Sequence, residues 1–171
     1  MDAREAAFTA FVRDRGAALS RTAYFLAGDP HLAEDLLQTA LADTYVRWAS
    51  VADPSAYTRR ALVSENAAWW RRRSASEVPV HSTPDSVGPD DTAAVADRAP
   101  VVEALRHLPA RQRAALVLRF YDDLSEADTA KAMGCTVGSV KRHTSRGLEK
   151  LRRLVDGEAL GIRVGEVEPS W

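Results

Sequence analysis

The chain has 171 residues, 46% hydrophobic and 27% charged, with 9 Gly, 8 Pro and 1 Cys, a composition that excludes collagenous, low-complexity and wholly disordered polypeptides. Twenty-three Lys and Arg against 24 Asp and Glu leave a formal net charge of −1, so bulk charge selects no partner and only its placement is informative. Cys135 excludes an internal disulfide and completes no Cys/His metal set. With no export-signal pattern and apolar runs no longer than the five residues Ala114 to Leu118, the expectation is a cytoplasmic protein without metal, cofactor or membrane insertion.

Residues 3 to 27 place Phe8, Phe11, Val12, Leu19, Ala23 and Leu26 at three- and four-residue steps, the period of a helix. Gly28 closes it. Asp29-Pro30 and Asp53-Pro54 each combine an N-cap side chain with a first-turn proline, which predicts helices over residues 30 to 49 and 54 to 73. Residues 74 to 99 then carry Pro79, Pro84 and Pro89 with Glu77, Asp85, Asp90, Asp91 and Asp97 and no base before Arg98, a composition that predicts an acidic tether.

The apolar period resumes at Pro100 to His107 and Pro109 to Phe120. Ser125 with Asp128 three residues on predicts a capped short helix to Met133, Gly134-Cys135 a turn, and Thr136 the cap of a second helix to Leu154. Leu124, Ala127, Ala130, Met133, Val137, Val140, Leu148 and Leu151 can pack this helix-turn-helix, leaving Lys141, Arg142, His143, Ser145 and Arg146 for an exposed face. No segment reads as a strand.

Charge is segregated by helix. Residues 131 to 153 hold seven bases against Glu149, a net of plus six; residues 59 to 73 hold five Arg against Glu65, a net of plus four; residues 29 to 43 hold four acids and no Lys or Arg. The second helix of a helix-turn-helix can enter the major groove with its first turns at base edges. The helix over 54 to 73 mixes base with aromatic, Trp69 and Trp70 among Arg59, Arg60 and Arg71 to Arg73, which suits unstacked single-stranded bases. Neighbours on a helix diverge by about 100 degrees, so at most one of the two tryptophans points directly into a core. No Ser sits in a nucleophile-elbow context and the four His are scattered, so no enzyme activity is expected.

Three segments then resemble one family. Ala33-Glu34-Asp35-Leu36-Leu37-Gln38-Thr39-Ala40, Asp53-Pro54-Ser55-Ala56-Tyr57-Thr58-Arg59-Arg60 through Asn66 to Arg73, and Leu108-Pro109-Ala110-Arg111-Gln112-Arg113 with Asp123 to Ala130 and Gly134 to Lys141 resemble bacterial RNA polymerase sigma factors of the small extracytoplasmic-function type, regions 2 and 4, and among them the actinobacterial sigma-E-like members. Thr129 and Arg142-His143-Thr144 differ from the commoner residues of that family. The resemblance implies an all-α fold of two small domains joined by a flexible linker: a three-helix region 2 (1–73), the linker (74–99), a four-helix region 4 with the helix-turn-helix (100–155) and a C-terminal tail (156–171). It implies that Asp35, Leu36, Leu37, Gln38 and Leu41 dock on the β′ clamp of core RNA polymerase and that region 4 meets the β flap. Arg59, Arg60, Asn66, Trp69, Arg71, Arg72 and Arg73 would open and hold the minus-ten element. Thr136, Ser139, Lys141, Arg142, His143, Ser145 and Arg146 would read the minus-thirty-five element. An anti-sigma factor is an implied further partner. The competing reading is a stand-alone helix-turn-helix regulator whose N-terminal helices sense a ligand or dimerise.

Overall fold

A computed structural model describes residues 2–76 and 92–156, with 92–97 and 155 described by their backbone alone. All regular structure in these residues is helical, as the apolar periods require. Helix α1 (Ala3–Ala27) begins where the Asp2 carboxylate accepts the Glu5 N–H at 2.7 Å and ends at Gly28, whose φ of 76° returns its N–H to the Tyr24 carbonyl. Helix α2 (Pro30–Val46) starts from Asp29, which accepts from Leu32 N–H at 2.8 Å, and α3 (Pro54–Ala75) from Asp53, which accepts from Ala56 N–H at 3.0 Å. Each such cap stabilises its helix by about 1 kcal/mol.

These three helices pack together around Leu19, Ala23, Leu26, Leu36, Ala40 and Leu62. A polar pair lies in the α2–α3 seam: the Thr44 and Thr58 hydroxyls meet at 2.9 Å, one donating to the other, and the accepting hydroxyl is left to donate to its own helix, whose carbonyl (Ala40 for Thr44, Pro54 for Thr58) lies 2.7 Å away. Tyr57 adds a hydrogen bond from its hydroxyl to Asp43 at 2.6 Å. At the far end of α1, Phe8 and Phe11 pack on Trp48, and Phe8 also on Tyr45.

Helix α4 (Thr92–Arg106) starts inside the stretch expected to be linker and runs through Pro100. The apolar period resumes at Pro100, but the helix begins eight residues earlier and holds the proline in its interior at the loss of one intrahelical N–H bond. Most of the expected linker, 77–91, and the expected tail beyond Asp156 lie outside the described residues. Helix α5 (Ala110–Leu116) passes into a π-helical turn (Val117–Tyr121), closed by Asp122 N–H on the Val117 carbonyl at 3.0 Å. Helix α6 (Glu126–Met133) is capped by Ser125, which accepts from Asp128 N–H, and ends at Gly134 with φ 62°. Helix α7 spans Val137–Asp156. A Cβ at Gly147 would lie 3.0 Å from the Leu116 side chain, so the missing side chain lets α7 seat closely on α5.

The two helical groups are docked. Helix α1 packs on α4 and the π turn, α3 packs on α5 and α6, and one apolar cluster runs from Leu19 to Val140 across both groups. At the centre is Arg113, 2% exposed. Its guanidinium donates to the Leu26 carbonyl at 2.6 Å and the Leu108 carbonyl at 3.1 Å, and lies 5.2 Å from the centre of the Trp70 ring. Burial lowers its pKa to about 10, with the neighbouring Arg106 charge adding to the effect, so it stays charged at neutral pH.

Candidate nucleic-acid interface

Helix α2 buries Ala33, Leu36, Ala40 and Thr44 on one face and exposes Asp35 and Gln38 on the other, with Leu37 and Leu41 half-buried at the margin. Steps of three and four put the first set on one stripe. Leu36, expected among the polymerase-docking residues, therefore faces the core; Asp35, Leu37, Gln38 and Leu41 remain at the outer surface. Gln38 donates to Glu34 one turn back at 3.4 Å.

On α3, Arg60, Arg71 and Arg72 are exposed, whereas Arg59, Trp69, Trp70 and Arg73 are half-buried. Asn66 is 2% exposed, so in this arrangement it is not presented to a ligand. The two indole rings meet edge to face, 4.9 Å apart at 83°, and diverge as helical neighbours must: Arg73 lies 5.0 Å over Trp69, while Trp70 faces Arg113 of α5. Arg72 and Arg73 stand in the last turn of α3, where the helix dipole favours positive charge.

On α7, Thr136 accepts the Ser139 N–H at 3.1 Å and its hydroxyl meets that of Ser139 at 2.9 Å. Ser139 is thus part of the cap, and Arg142 leans back on its hydroxyl at 3.4 Å. Lys141 reaches Glu126 of α6 at 3.7 Å with both side chains solvated, a pair worth less than about 1 kcal/mol and easily surrendered to a phosphate. Arg142, Ser145 and Arg146 are exposed. His143 is half-buried, and its pKa is held below the ordinary value by burial first, then by the charges of Arg111, Arg142 and Arg146. Thr136, Lys141, Arg142, Ser145 and Arg146 therefore form an open basic face at the start of α7, with His143 at its edge.

Several residues that shape the site were not among the expected ones. The Thr22 hydroxyl donates to Asp122 at 2.7 Å, Arg21 donates to the Tyr121 hydroxyl at 2.6 Å, and Phe25 meets the Tyr121 ring edge to face at 4.6 Å. Burial raises the Asp122 pKa above the usual carboxylate value, opposed by the Thr22 hydrogen bond and the Arg59 charge. These partners are about a hundred positions apart in the chain, and no local pattern announces them. Arg113, directly before the apolar run Ala114 to Leu118, carried the one legible signal.

The arrangement is an all-helical DNA-binding fold: a basic helix-turn-helix beside a three-helix unit that carries an acidic outer face and an Arg- and Trp-rich helix. Residues 98–151 match the family description "Sigma-70, region 4". The chain is 41% identical to the RNA polymerase sigma-E factor of Streptomyces avermitilis over 94% of its own length and 92% of the relative's. It is 30% identical to the ECF RNA polymerase sigma factor SigL of Mycobacterium tuberculosis over 88% and 89%. Among solved structures, it resembles the sigma factor RpoE of Bartonella quintana, crystallised with the anti-sigma factor NepR, with a TM-score of 0.72, 26% identity and coverage of 88% of this chain and 98% of the other. The fold of CnrH, solved with the cytosolic domain of CnrY, matches with a TM-score of 0.67 at 21% identity, covering 91% of each chain. The chain belongs to the ECF RNA polymerase sigma-factor family.

Proposed function

We propose that this sigma factor binds core RNA polymerase, directs it to a promoter and opens the minus-ten element without cofactor or nucleotide hydrolysis. The acidic outer face of α2, Asp35 with Leu37, Gln38 and Leu41, docks on the β′ clamp, where an acidic and apolar surface suits a basic protein groove and repels DNA. Residues 100–155 meet the β flap and set α7 in the major groove of the minus-thirty-five element, with Lys141, Arg142, Ser145 and Arg146 at bases and phosphates. Arg59, Arg60, Asn66 and Trp69 take the extruded bases of the non-template strand, and Arg71 to Arg73 its phosphates. Units 1–73 and 100–155 thus serve separate promoter elements, with 74–99 spanning them. An anti-sigma protein that covers either basic surface would hold the factor inactive.

The observation that carries this reading is the opposition of charge within one rigid unit: an exposed acidic face on α2 and an Arg-rich α3 locked to it through Thr44 and Thr58. A stand-alone regulator needs no such acidic face. The test is run-off transcription with purified core polymerase on genomic DNA, with sequencing of the transcripts. The expected result is one shared promoter motif in the transcripts made only when this chain is present; binding to DNA as a dimer with no polymerase association would overturn it.

A further inference from the structure

The leading turn of α7 is unlike the rest of the basic face. Thr136 and Ser139 commit their hydroxyls to the cap, since Thr136 accepts the Ser139 N–H and the two hydroxyls meet, with Arg142 reaching back to Ser139. Gly138 offers no side chain. What the tip presents to solvent is Val137, 39% exposed. The sequence groups Val137 with the residues that pack the helix-turn-helix, but the core place in this turn is taken by Val140, which is fully buried. Val137 instead heads a stripe that continues one and two turns on through Lys141 and Ser145, both exposed.

Gly138 supplies a second, independent observation. Glycine is the poorest helix former after proline, and here neither conformation nor packing calls for it. Its backbone is helical, with no positive φ. Beyond its immediate neighbours, the nearest atom to a Cβ at this position would be Thr136 Oγ1, 3.9 Å away. The bare backbone therefore serves something outside the chain that comes close to the tip of α7.

We infer that the tip of α7 reads the methyl group of a thymine in the minus-thirty-five element, with Val137 against the methyl and Gly138 letting the helix sink close enough to reach it. The inference rests on the assignment of α7 to that element and adds the chemical group it recognises. In the major groove every base edge carries hydrogen-bonding atoms, but only thymine adds a methyl. A side chain with neither donor nor acceptor, set against a polar edge, strips water from it and returns no hydrogen bond. Set against the thymine methyl, it buries apolar surface on both partners. Lys141, Arg142 and Arg146, farther along the helix, supply most of the affinity through their charge, so Val137 acts on the choice of base.

The test removes the methyl and nothing else. On a promoter recovered by transcript sequencing, each thymine of the minus-thirty-five element, on either strand, is replaced singly by deoxyuridine, which pairs identically, and holoenzyme affinity is read by fluorescence anisotropy. The expected result is that one replacement weakens the parent at least about three-fold, about 0.7 kcal/mol. Holoenzyme carrying Val137→Ala should bind the natural promoter more weakly by a similar factor and no longer register that replacement. Gly138→Ala should leave the Tm unchanged or raise it, yet weaken promoter binding at least about three-fold, a pairing that a purely structural glycine does not give. An element without an A·T pair, or a parent that needs the element but binds every deoxyuridine duplex as tightly as the natural one, overturns the inference; this arm requires no substitution in the protein. So does a Val137→Ala factor with undiminished sensitivity to deoxyuridine, one whose loss falls on core-polymerase binding instead of DNA, or a Gly138→Ala factor that binds like the parent. A parent indifferent to scrambling of the whole element sinks the assignment of α7, and the inference with it.

Discussion

Arg113→Met removes the clasp between the two helical groups while filling similar space. Two hydrogen bonds from a charged donor to the Leu26 and Leu108 carbonyls are lost, at about 1.5–3 kcal/mol each. Against this, the variant no longer buries a charge. The lowering of the Arg113 pKa to about 10 corresponds to about 3 kcal/mol of relief. Two carbonyls then remain without donors in a dry site, at about 1 kcal/mol or more each. The balance is a loss of about 2–5 kcal/mol, overlapping the range found when one partner of a buried polar contact is removed. For a chain of this size about 2–4 °C in Tm accompany each kcal/mol, so calorimetry should show a fall of about 4–20 °C. Because Arg113 lies at the junction, the single transition should also broaden or split as the halves melt separately. A sharp single transition with a Tm within about 1 °C of the parent would refute the reasoning.

Three further outcomes are expected. Lys141→Ala should weaken holoenzyme binding to a minus-thirty-five duplex and reduce the slope of log affinity against log salt by about 0.9; an unchanged slope in a fluorescence titration across salt means that Lys141 neutralises no phosphate. Asp35→Ala, at an exposed position with no role in the core, should leave the Tm alone and raise the Kd for core polymerase about five-fold, about 1 kcal/mol, as read by biolayer interferometry. The folded-state pKa of His143 lies below its ordinary value, so as pH falls through about 6.5 the unfolded chain takes up the proton first and stability drops. His143→Gln should remove that part of the decline in urea midpoints between pH 7.5 and 5.5, and an identical decline in the variant would contradict it.

The helix boundaries were legible because their caps are local chemistry. Asp29-Pro30, Asp53-Pro54, Ser125 with Asp128, and Thr136 all cap in the structure as their side chains require, and Gly28 and Gly134 take the left-handed conformation that ends their helices. The geometry of adjacent helical positions likewise foretold that Trp69 and Trp70 part company. Burial was less legible. Leu36 was read with its neighbours as contact surface, but the i, i+4 relation to Ala40 places it inside. Docking of the two halves was not legible at all, because Thr22 with Asp122 and Leu26 with Arg113 are joined across 100 and 87 residues, and long-range pairing leaves no periodic trace. Asn66 shows the consequence: polar, on a basic helix, and covered by elements encoded much later in the chain. The start of α4 was hidden for a different reason, since residues 92 to 99 set up no apolar period to mark them off from the acidic tether before them, yet belong to a helix that carries Pro100 in its interior.

The Thr44–Thr58 hydroxyl pair and the Tyr57–Asp43 bond do more than fill a seam. They brace two helices of opposite charge at one angle, like the two arms of a bracket. Whatever grasps the acidic arm thereby aims the cationic one, and a pair of methyl-sized slips at this joint would misalign a surface that neither threonine ever touches.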